Sequence, residues 1–222
     1  MTKLYRNTTR IGIKPNKVAE VGVYKPETSN VIDYIEDGIA AVLVEPDPMS
    51  IRAIKERFAG YTNVNLHEIA IYDYCGKVEL SQRMASTFIS DLSQSPAIVN
   101  DKYFPVEEDK FTVECLTYDK VDDGQIDILS IDIEGAEWFV LKYMKSRPKV
   151  ISVETHGKFY LNPFLTEIKR WMADNQYTAW FKNSSDSVYV RNDVYRVSSC
   201  DKIKLKLREL RLWLRRLKRT IK

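Results

Sequence analysis

Tyr177-Thr178-Ala179-Trp180-Phe181-Lys182 and Ser187-Val188-Tyr189-Val190-Arg191 flank Asn183-Ser184-Ser185-Asp186, two β-prone runs around four turn formers. That pattern predicts an antiparallel hairpin. Upstream the order is different. Residues 18–23, 40–46 and 63–71 read as short buried strands, with helices expected near 27–36 and over 48–58. Asp47 is placed to cap the second helix and Pro48 to open it. A strand at 126–131, a helix at 136–144, a strand at 149–154 and a helix at 163–175 follow, the last with Phe164, Ile168, Trp171 and Met172 at helical spacing. Alternating strands and helices imply an α/β fold, a doubly wound and mostly parallel sheet covered on both faces. The closing antiparallel hairpin sets it apart from the sheet of a dehydrogenase. Between two further strands, 77–80 and 110–115, residues 81–109 carry scattered apolar positions with Pro96 and Pro105, and read as a functional loop or lid.

The composition narrows the class. Of 222 residues, 44% are apolar and 11% aromatic, which excludes a disordered chain. No apolar run approaches the ~20 residues of a membrane span, and Met1-Thr2-Lys3-Leu4-Tyr5-Arg6 lacks the features of a secretory signal. Cys75, Cys115 and Cys200 are widely spaced and form no CxxC. They point to neither a disulfide framework nor a structural zinc, and so to a cytoplasmic protein. The net charge of +3 is unevenly spread: residues 201–222 hold ten Lys or Arg against Asp201 and Glu209, a net of +8, leaving −5 for residues 1–200. The expected organisation is one domain at 1–200 and a basic tail at 201–222. An acidic body gives no strong case for nucleic-acid binding.

In an open α/β sheet, ligands bind beyond the carboxyl ends of the strands. The first strand runs into Glu20-Val21-Gly22-Val23-Tyr24-Lys25-Pro26-Glu27-Thr28-Ser29, where Gly22 permits close backbone approach. Pro26 breaks the GxGxxG pattern, which lowers the case for a dinucleotide. Glu45 ends the second strand, 23 residues after Gly22, where a carboxylate can accept both hydroxyls of an adenosine ribose. Glu20 is then available for the ammonium of a methionine moiety. Glu68, Ile69 and Ala70 end the third strand, where the adenine would lie. Ser130-Ile131-Asp132-Ile133-Glu134-Gly135-Ala136-Glu137 ends the fourth, and strand alternation puts Asp132 and Glu134 on one side. Glu134 or Glu137 can also serve the following helix N-terminus. His156, after Glu154, is expected within reach of the same cleft. Asp132, Glu134, Glu154 and His156 together suit a general-base site. Asp132, Glu154 and His156 are also candidate ligands for a metal such as Mg²⁺. His67, inside a strand, reads as structural.

Glu20-Val21-Gly22, Val44-Glu45-Pro46-Asp47-Pro48, Asn65-Leu66-His67-Glu68-Ile69-Ala70-Ile71 and Ile131-Asp132-Ile133-Glu134-Gly135-Ala136-Glu137 resemble the FkbM-type methyltransferase family. The resemblance covers roughly residues 17–192 and implies a Rossmann-like class I methyltransferase sheet. It also implies S-adenosylmethionine as cofactor and methylation of hydroxyls on sugars, glycolipids or polyketides. It places Glu20, Gly22, Val23, Tyr24, Ser29, Glu45, Pro46, Glu68, Ile69, Ala70 and Asp132 at the cofactor. In the first motif the family commonly has D-x-G-A-N-x-G, and Tyr24 and Pro26 stand here for the Asn and the second Gly. Met84-Ala85-Ser86-Thr87-Phe88 resembles a serine-rich stretch near the family's substrate side.

The expectation is an O-methyltransferase for a saccharide or glycolipid acceptor. Asp132 and Glu134 would position the hydroxyl, and His156 or Asp132 would take its proton. Rival readings are a methyltransferase for another small molecule or an RNA ribose, and a non-catalytic scaffold. The tail reads as a basic amphipathic helix. Ile203, Leu207, Leu210, Leu214, Leu217 and Ile221 form a seam about 80° wide with Trp213 at its margin, and Leu205 and Leu212 lie opposite. It is expected to dock on the body, on another copy, on a partner protein or on an anionic membrane surface.

Overall fold

Neighbouring residues in the central strands bury opposite faces, as a sheet covered on both sides requires. Ala19, Val21, Val42, Val44, Leu129, Ile131, Ile151 and Val153 pack into one core, and Val18, Ala41, Leu43, Ile128 and Val150 into another. The computed structural model describes residues 1–83, 86–91, 95–101, 103, 106–157 and 159–220. In chain order the elements are α1 (Lys3–Arg10), β1 (Lys17–Val21), α2 (Ile32–Glu36), β2 (Ala40–Val44), α3 (Pro48–Arg57), β3 (Val64–His67), β4 (Ala70–Ile71), β5 (Gly76–Arg83) and β6 (Ser86–Ile89). There follow α4 (Pro96–Asp101), β7 (Lys110–Leu116), β8 (Ile128–Ile131), α5 (Glu137–Tyr143), β9 (Val150–Glu154), α6 (Leu165–Asp174), β10 (Tyr177–Asn183), β11 (Asp186–Arg191) and α7 (Ser199–Thr220).

The main sheet has seven strands in the order β3-β2-β1-β8-β9-β11-β10. Every neighbouring pair is parallel except those made by β11, which is antiparallel to β9 and to β10. The hairpin expected at 177–191 is therefore present, and it is the feature that reverses one strand. The strand order turns back between β1 and β8, so a crevice opens at their carboxyl ends.

Three expectations change. Residues 63–71 are not one strand: β3 pairs with β2 in the main sheet, whereas β4 pairs with β7 in a second sheet of order β4-β7-β5-β6. An unbroken apolar run cannot reveal such a break, because both halves are buried against something. The helix expected near 27–36 is a 3₁₀ turn, Pro26–Thr28, followed by the short α2. The opening residues, where the sequence pattern predicts no element, form α1. Thr2 caps it through the Tyr5 N–H (3.3 Å), and Leu4 is fully buried in the second core. Residues 81–109 hold part of β5, β6 and α4, and the second sheet packs Val78, Leu80 and Ile89 against Ala136 and Phe139 at the start of α5. Met84, Ala85 and Pro105 lie outside the described residues.

Candidate active site

β1 stops at Val21 because Gly22 turns the chain with a φ of +84°. A Cβ there would sit 1.8 Å from the carbonyl oxygen of Asp132 and 2.9 Å from Cγ2 of Ile133. Gly22 is thus required by the close approach of the β1 and β8 ends, before any ligand is considered. The β1 and β8 ends are tied by Asp132 N–H donating to the Val21 carbonyl, and the β1 and β2 ends by Gly22 N–H donating to that of Val44, both 2.9 Å.

This turn is organised by Glu45, just beyond β2. Its buried carboxylate accepts the N–H groups of Val23 (2.8 Å) and Tyr24 (2.9 Å) on Oε2 and of Asp47 (3.0 Å) on Oε1. By lone-pair count one further acceptor position remains, on Oε1. Glu20, buried in β1, accepts the Ser29 hydroxyl on Oε2 and the Asn30 N–H on Oε1 at 2.9 Å. Ser29 therefore reaches the site through Glu20.

The turn between β8 and α5 carries the acids. Glu134 has a φ of +57°, so the alternation expected to align it with Asp132 has already ended; the turn itself brings both to the cleft. Glu137 is fully buried and accepts the N–H groups of Ile133 (3.0 Å) and Gly135 (3.1 Å) on Oε1 and the Asn162 side-chain amide on Oε2. Ligand atoms of Asp132, Glu137 and Glu154 all lie within 4.8 Å of one another. That is the oxygen-donor set a hard divalent cation uses, with Glu137 in the place given to His156 by sequence. Glu154 Oε2 and the Tyr160 hydroxyl are both buried and find no hydrogen-bond partner among the described residues. Asp186, in the hairpin, is buried behind this group and accepts from Ser152 (3.0 Å) and Asn30 (3.3 Å).

Burial of so many carboxyls sets their protonation. It raises Glu20 to about 7, and it raises Asp132 to about 6 against the opposing effect of a hydrogen bond from Glu154. Glu154 is driven well above the carboxylate range by burial and then by the charges of Asp132, Glu134, Glu137 and Asp186, so the Asp132–Glu154 pair shares a proton near neutrality. Burial also raises Glu137 and Asp186. These folded-state values exceed the unfolded ones, so the native state binds more protons between them. Stability should then fall as pH rises from about 4.5 to beyond about 7 and level off above. For Glu20 alone the ionisation cost is about 3 kcal/mol. Melting of the ligand-free protein at about pH 6 and pH 8 should show this loss, and Glu20→Gln should shrink it; an unchanged slope in that variant would remove Glu20 as a contributor.

The cleft enclosed by these elements is lined by Glu20, Gly22, Val23, Tyr24, Glu45, Pro46, Ile69, Ala70, Asp132 and Glu134. Leu80, Thr87, Phe88 and Ile89 of β5 and β6 close one side. Glu68 is not among the lining residues: it is exposed and pairs with Lys55 at 2.6 Å. His156 is not among them either. It lies two residues past Glu154, but its ring meets Thr155 Oγ1 (3.1 Å) and lines a different groove, beneath α7. Burial, then the positive charges of Lys182, Arg216 and Arg208, lowers it to about 3.

Residues 20–179 match the Methyltransferase FkbM domain. The chain belongs to this FkbM family. The FkbM methyltransferase of Methylobacillus flagellatus KT, known from a crystal structure, aligns with a TM-score of 0.52 at 12% identity, over 79% of this chain and 43% of that one. The chain thus spans less than half the length of that protein. A SAM-dependent methyltransferase from Aquifex aeolicus aligns with TM-score 0.42 and 10% identity, over 85% and 88% of the two chains. The ribosomal protein L11 methylase from Lactobacillus delbrueckii subsp. bulgaricus gives 0.41 and 12%, over 84% and 74%. At such identities the likeness is one of fold. No curated protein sequence matches the chain significantly.

The departure of this FkbM domain in its first motif has a physical reading. Tyr24, where the family commonly carries Asn, has a φ of +52°, a region Asn tolerates and a bulky residue enters at a cost of about 1 kcal/mol or more. The Glu45 bond to the Tyr24 N–H holds it there. Pro26 opens the 3₁₀ turn, so no glycine is needed at that point. Thr87 and Phe88, from the stretch resembling the family's substrate side, do line the cleft, whereas the places of Asp186, Asn162, Tyr160 and Leu80 beside the β8 end were invisible in the sequence. Turn residues such as Asn and Asp are common in loops, and only the strand order brings these four beside the β8 end.

Proposed function

We propose that this FkbM domain binds S-adenosylmethionine in the acidic cleft and transfers its methyl group to a hydroxyl of a saccharide, glycan or glycolipid intermediate. One observation carries the cofactor: Glu20, Glu45, Asp132 and Glu134 line the cleft and, among the described residues, no Lys, Arg or His does. A ligand bearing a sulfonium and an ammonium is attracted into that field, whereas a dinucleotide pyrophosphate is repelled. Glu45 would offer its remaining acceptor position to a ribose hydroxyl, and Glu20 would hold the ammonium. Ile69, Ala70 and Phe88 wall the space for a planar base.

When bound, the cofactor supplies a methyl group on a sulfonium that is already a good leaving group. The chain must align the acceptor oxygen in line, worth about 7–11 kcal/mol, and remove its proton, worth about 10²–10⁴-fold. Asp132 is the base. It lines the cleft, and its pKa lies close to neutrality, where a base is both deprotonated and strong enough to act. His156 lacks both properties. The saccharide class rests on the family and on a basic tail suited to an anionic or membrane-linked substrate. The Asp132–Glu137–Glu154 set balances its charge by shared protons or by a divalent cation, which turnover with and without EDTA distinguishes.

Calorimetry tests the cofactor. S-Adenosylmethionine and S-adenosylhomocysteine should both give heat, and NAD⁺ and ATP at equal concentration none. Binding of neither adenosyl compound would overturn the reading in favour of a non-catalytic scaffold. Labelled methyl transfer to nucleotide sugars, oligosaccharides, lipid-linked glycans and RNA then identifies the acceptor class, and transfer to RNA alone would overturn the saccharide.

A further inference from the structure

α7 is docked on the body by the side of the helix that the leucine seam does not occupy. Leu205, Glu209, Leu212 and Arg216 face Lys169, Ala179, Lys182 and Tyr189 of α6, β10 and β11. Arg208 secures the contact by donating to the carbonyls of Lys182 (2.8 Å) and Ser184 (3.3 Å). At about 100° per residue, Leu205 and Leu212 lie roughly opposite Ile203, Leu207, Leu210, Leu214 and Leu217. The seam therefore points straight away from the body. Ile203 is 59% exposed, Leu207 52%, Leu210 51%, Trp213 55% and Leu214 44%. Ile221 lies outside the described residues.

The charges beside the seam are arranged with it. Lys204, Arg208, Arg211 and Arg215 form the next row around the helix and line a groove whose far wall is His156, Gly157, Ser184 and Ser185. None of these four cations makes an ion pair among the described residues, and no acidic side chain lines the groove. An apolar stripe flanked by unpaired cations selects a surface that is apolar beneath and anionic on top. A second copy of this chain would set one +8 tail against another. No helix among the described residues is long and apolar enough to cross a membrane, so contact would be in the plane of the surface.

We propose that α7 is a membrane-surface anchor: its seam enters the headgroup boundary of an anionic phospholipid bilayer, and Lys204, Arg211 and Arg215 take the lipid phosphates. The groove runs to His156, two residues from Glu154, so the bilayer would lie beside the edge of the sheet on which the cleft opens. The anchor does not depend on the proposed reaction, and its test reads no activity.

Sedimentation of the full chain with vesicles of phosphatidylcholine, alone or mixed with phosphatidylglycerol, tests it. The protein should pellet with the mixed vesicles and about tenfold more weakly with phosphatidylcholine alone or at high salt. Leu207→Glu/Leu214→Glu and Lys204→Glu/Arg211→Glu/Arg215→Glu should each weaken binding by about tenfold or more. Both sets lie on the solvent side, and unchanged melting temperatures would show that the body is intact. Should the seam variant also lower the melting temperature, Trp213→Ser replaces it. Failure of the unaltered chain to pellet would overturn the anchor, as would a folded seam variant that binds normally. Displacement by soluble glycerophosphoglycerol would reassign the groove to a free phosphate ester. Seam-dependent dimerisation without vesicle binding would assign the seam to a second copy.

Discussion

Asp132→Asn should lower turnover by about 10²–10⁴-fold while changing the S-adenosylmethionine dissociation constant by less than about tenfold. The substitution keeps the shape of the side chain and removes its charge and its capacity to accept a proton. The backbone N–H at this position would still donate to the Val21 carbonyl, so the β1–β8 crevice should keep its geometry. Glu154 is the group to watch. Burial and neighbouring charges hold it protonated, and in the Asp132→Asn variant it loses a carboxylate partner but also a like charge. Its pKa should fall, and a residual rate with a shifted pH profile would report Glu154 acting in place of Asp132. His156→Ala is the internal comparison. Its ring lies in the groove under α7 and outside the cleft, so turnover should stay within severalfold of the unaltered chain. Equal losses in both variants would overturn Asp132 as the base and return His156 to the reaction. Single-turnover rates with labelled cofactor, alongside calorimetric binding, separate the two steps.

What could be read from the sequence followed from local constraint. Val18 to Val21, Ala41 to Val44 and Ile128 to Ile131 are buried on both faces, and short, mostly apolar runs bounded by turn residues report such buried strands. Glu45 and Asp132 were legible because a polar residue that ends such a run must sit at the sheet's carboxyl edge. The second sheet was not legible, since its strands are half-exposed and its partner, the start of α5, is remote in sequence. His156 shows the limit of counting to a strand end: it follows β9 as Asp132 follows β8, yet a bridge from His156 to Leu161 turns the chain and puts the ring on the α7 side. For α7, periodicity found both apolar stripes but could not say which one the body would take. The body takes the narrower stripe, where Leu205 and Leu212 face Ala179 and Tyr189 and Arg208 beside them donates to the Lys182 and Ser184 carbonyls.

Gly22→Ala should be among the most damaging single substitutions in the chain, and the reason can be separated into two parts. The first is backbone strain. At a φ of +84° an L-residue is disfavoured by about 1–2 kcal/mol, and Gly60, at +86°, carries the same penalty with nothing within 4 Å of an added Cβ. Gly60→Ala therefore measures strain alone. The second part is the clash with Asp132, whose carbonyl oxygen would lie 1.8 Å from the new methyl group. No flexible side chain can yield there. The β1 and β8 ends must separate, which puts the bonds from Asp132 N–H to Val21 and from Gly22 N–H to Val44 at risk and tilts Asp132 away from the cleft. Overpacking of this kind adds about 1–3 kcal/mol, so Gly22→Ala should cost about 3 kcal/mol or more in total. Urea unfolding of the two variants side by side gives the difference directly. Cofactor binding should be lost in Gly22→Ala at temperatures where it remains folded, and kept in Gly60→Ala. Equal destabilisation by the two substitutions would mean that the strand ends part without cost, and the close β1–β8 contact could not then be what shapes the site.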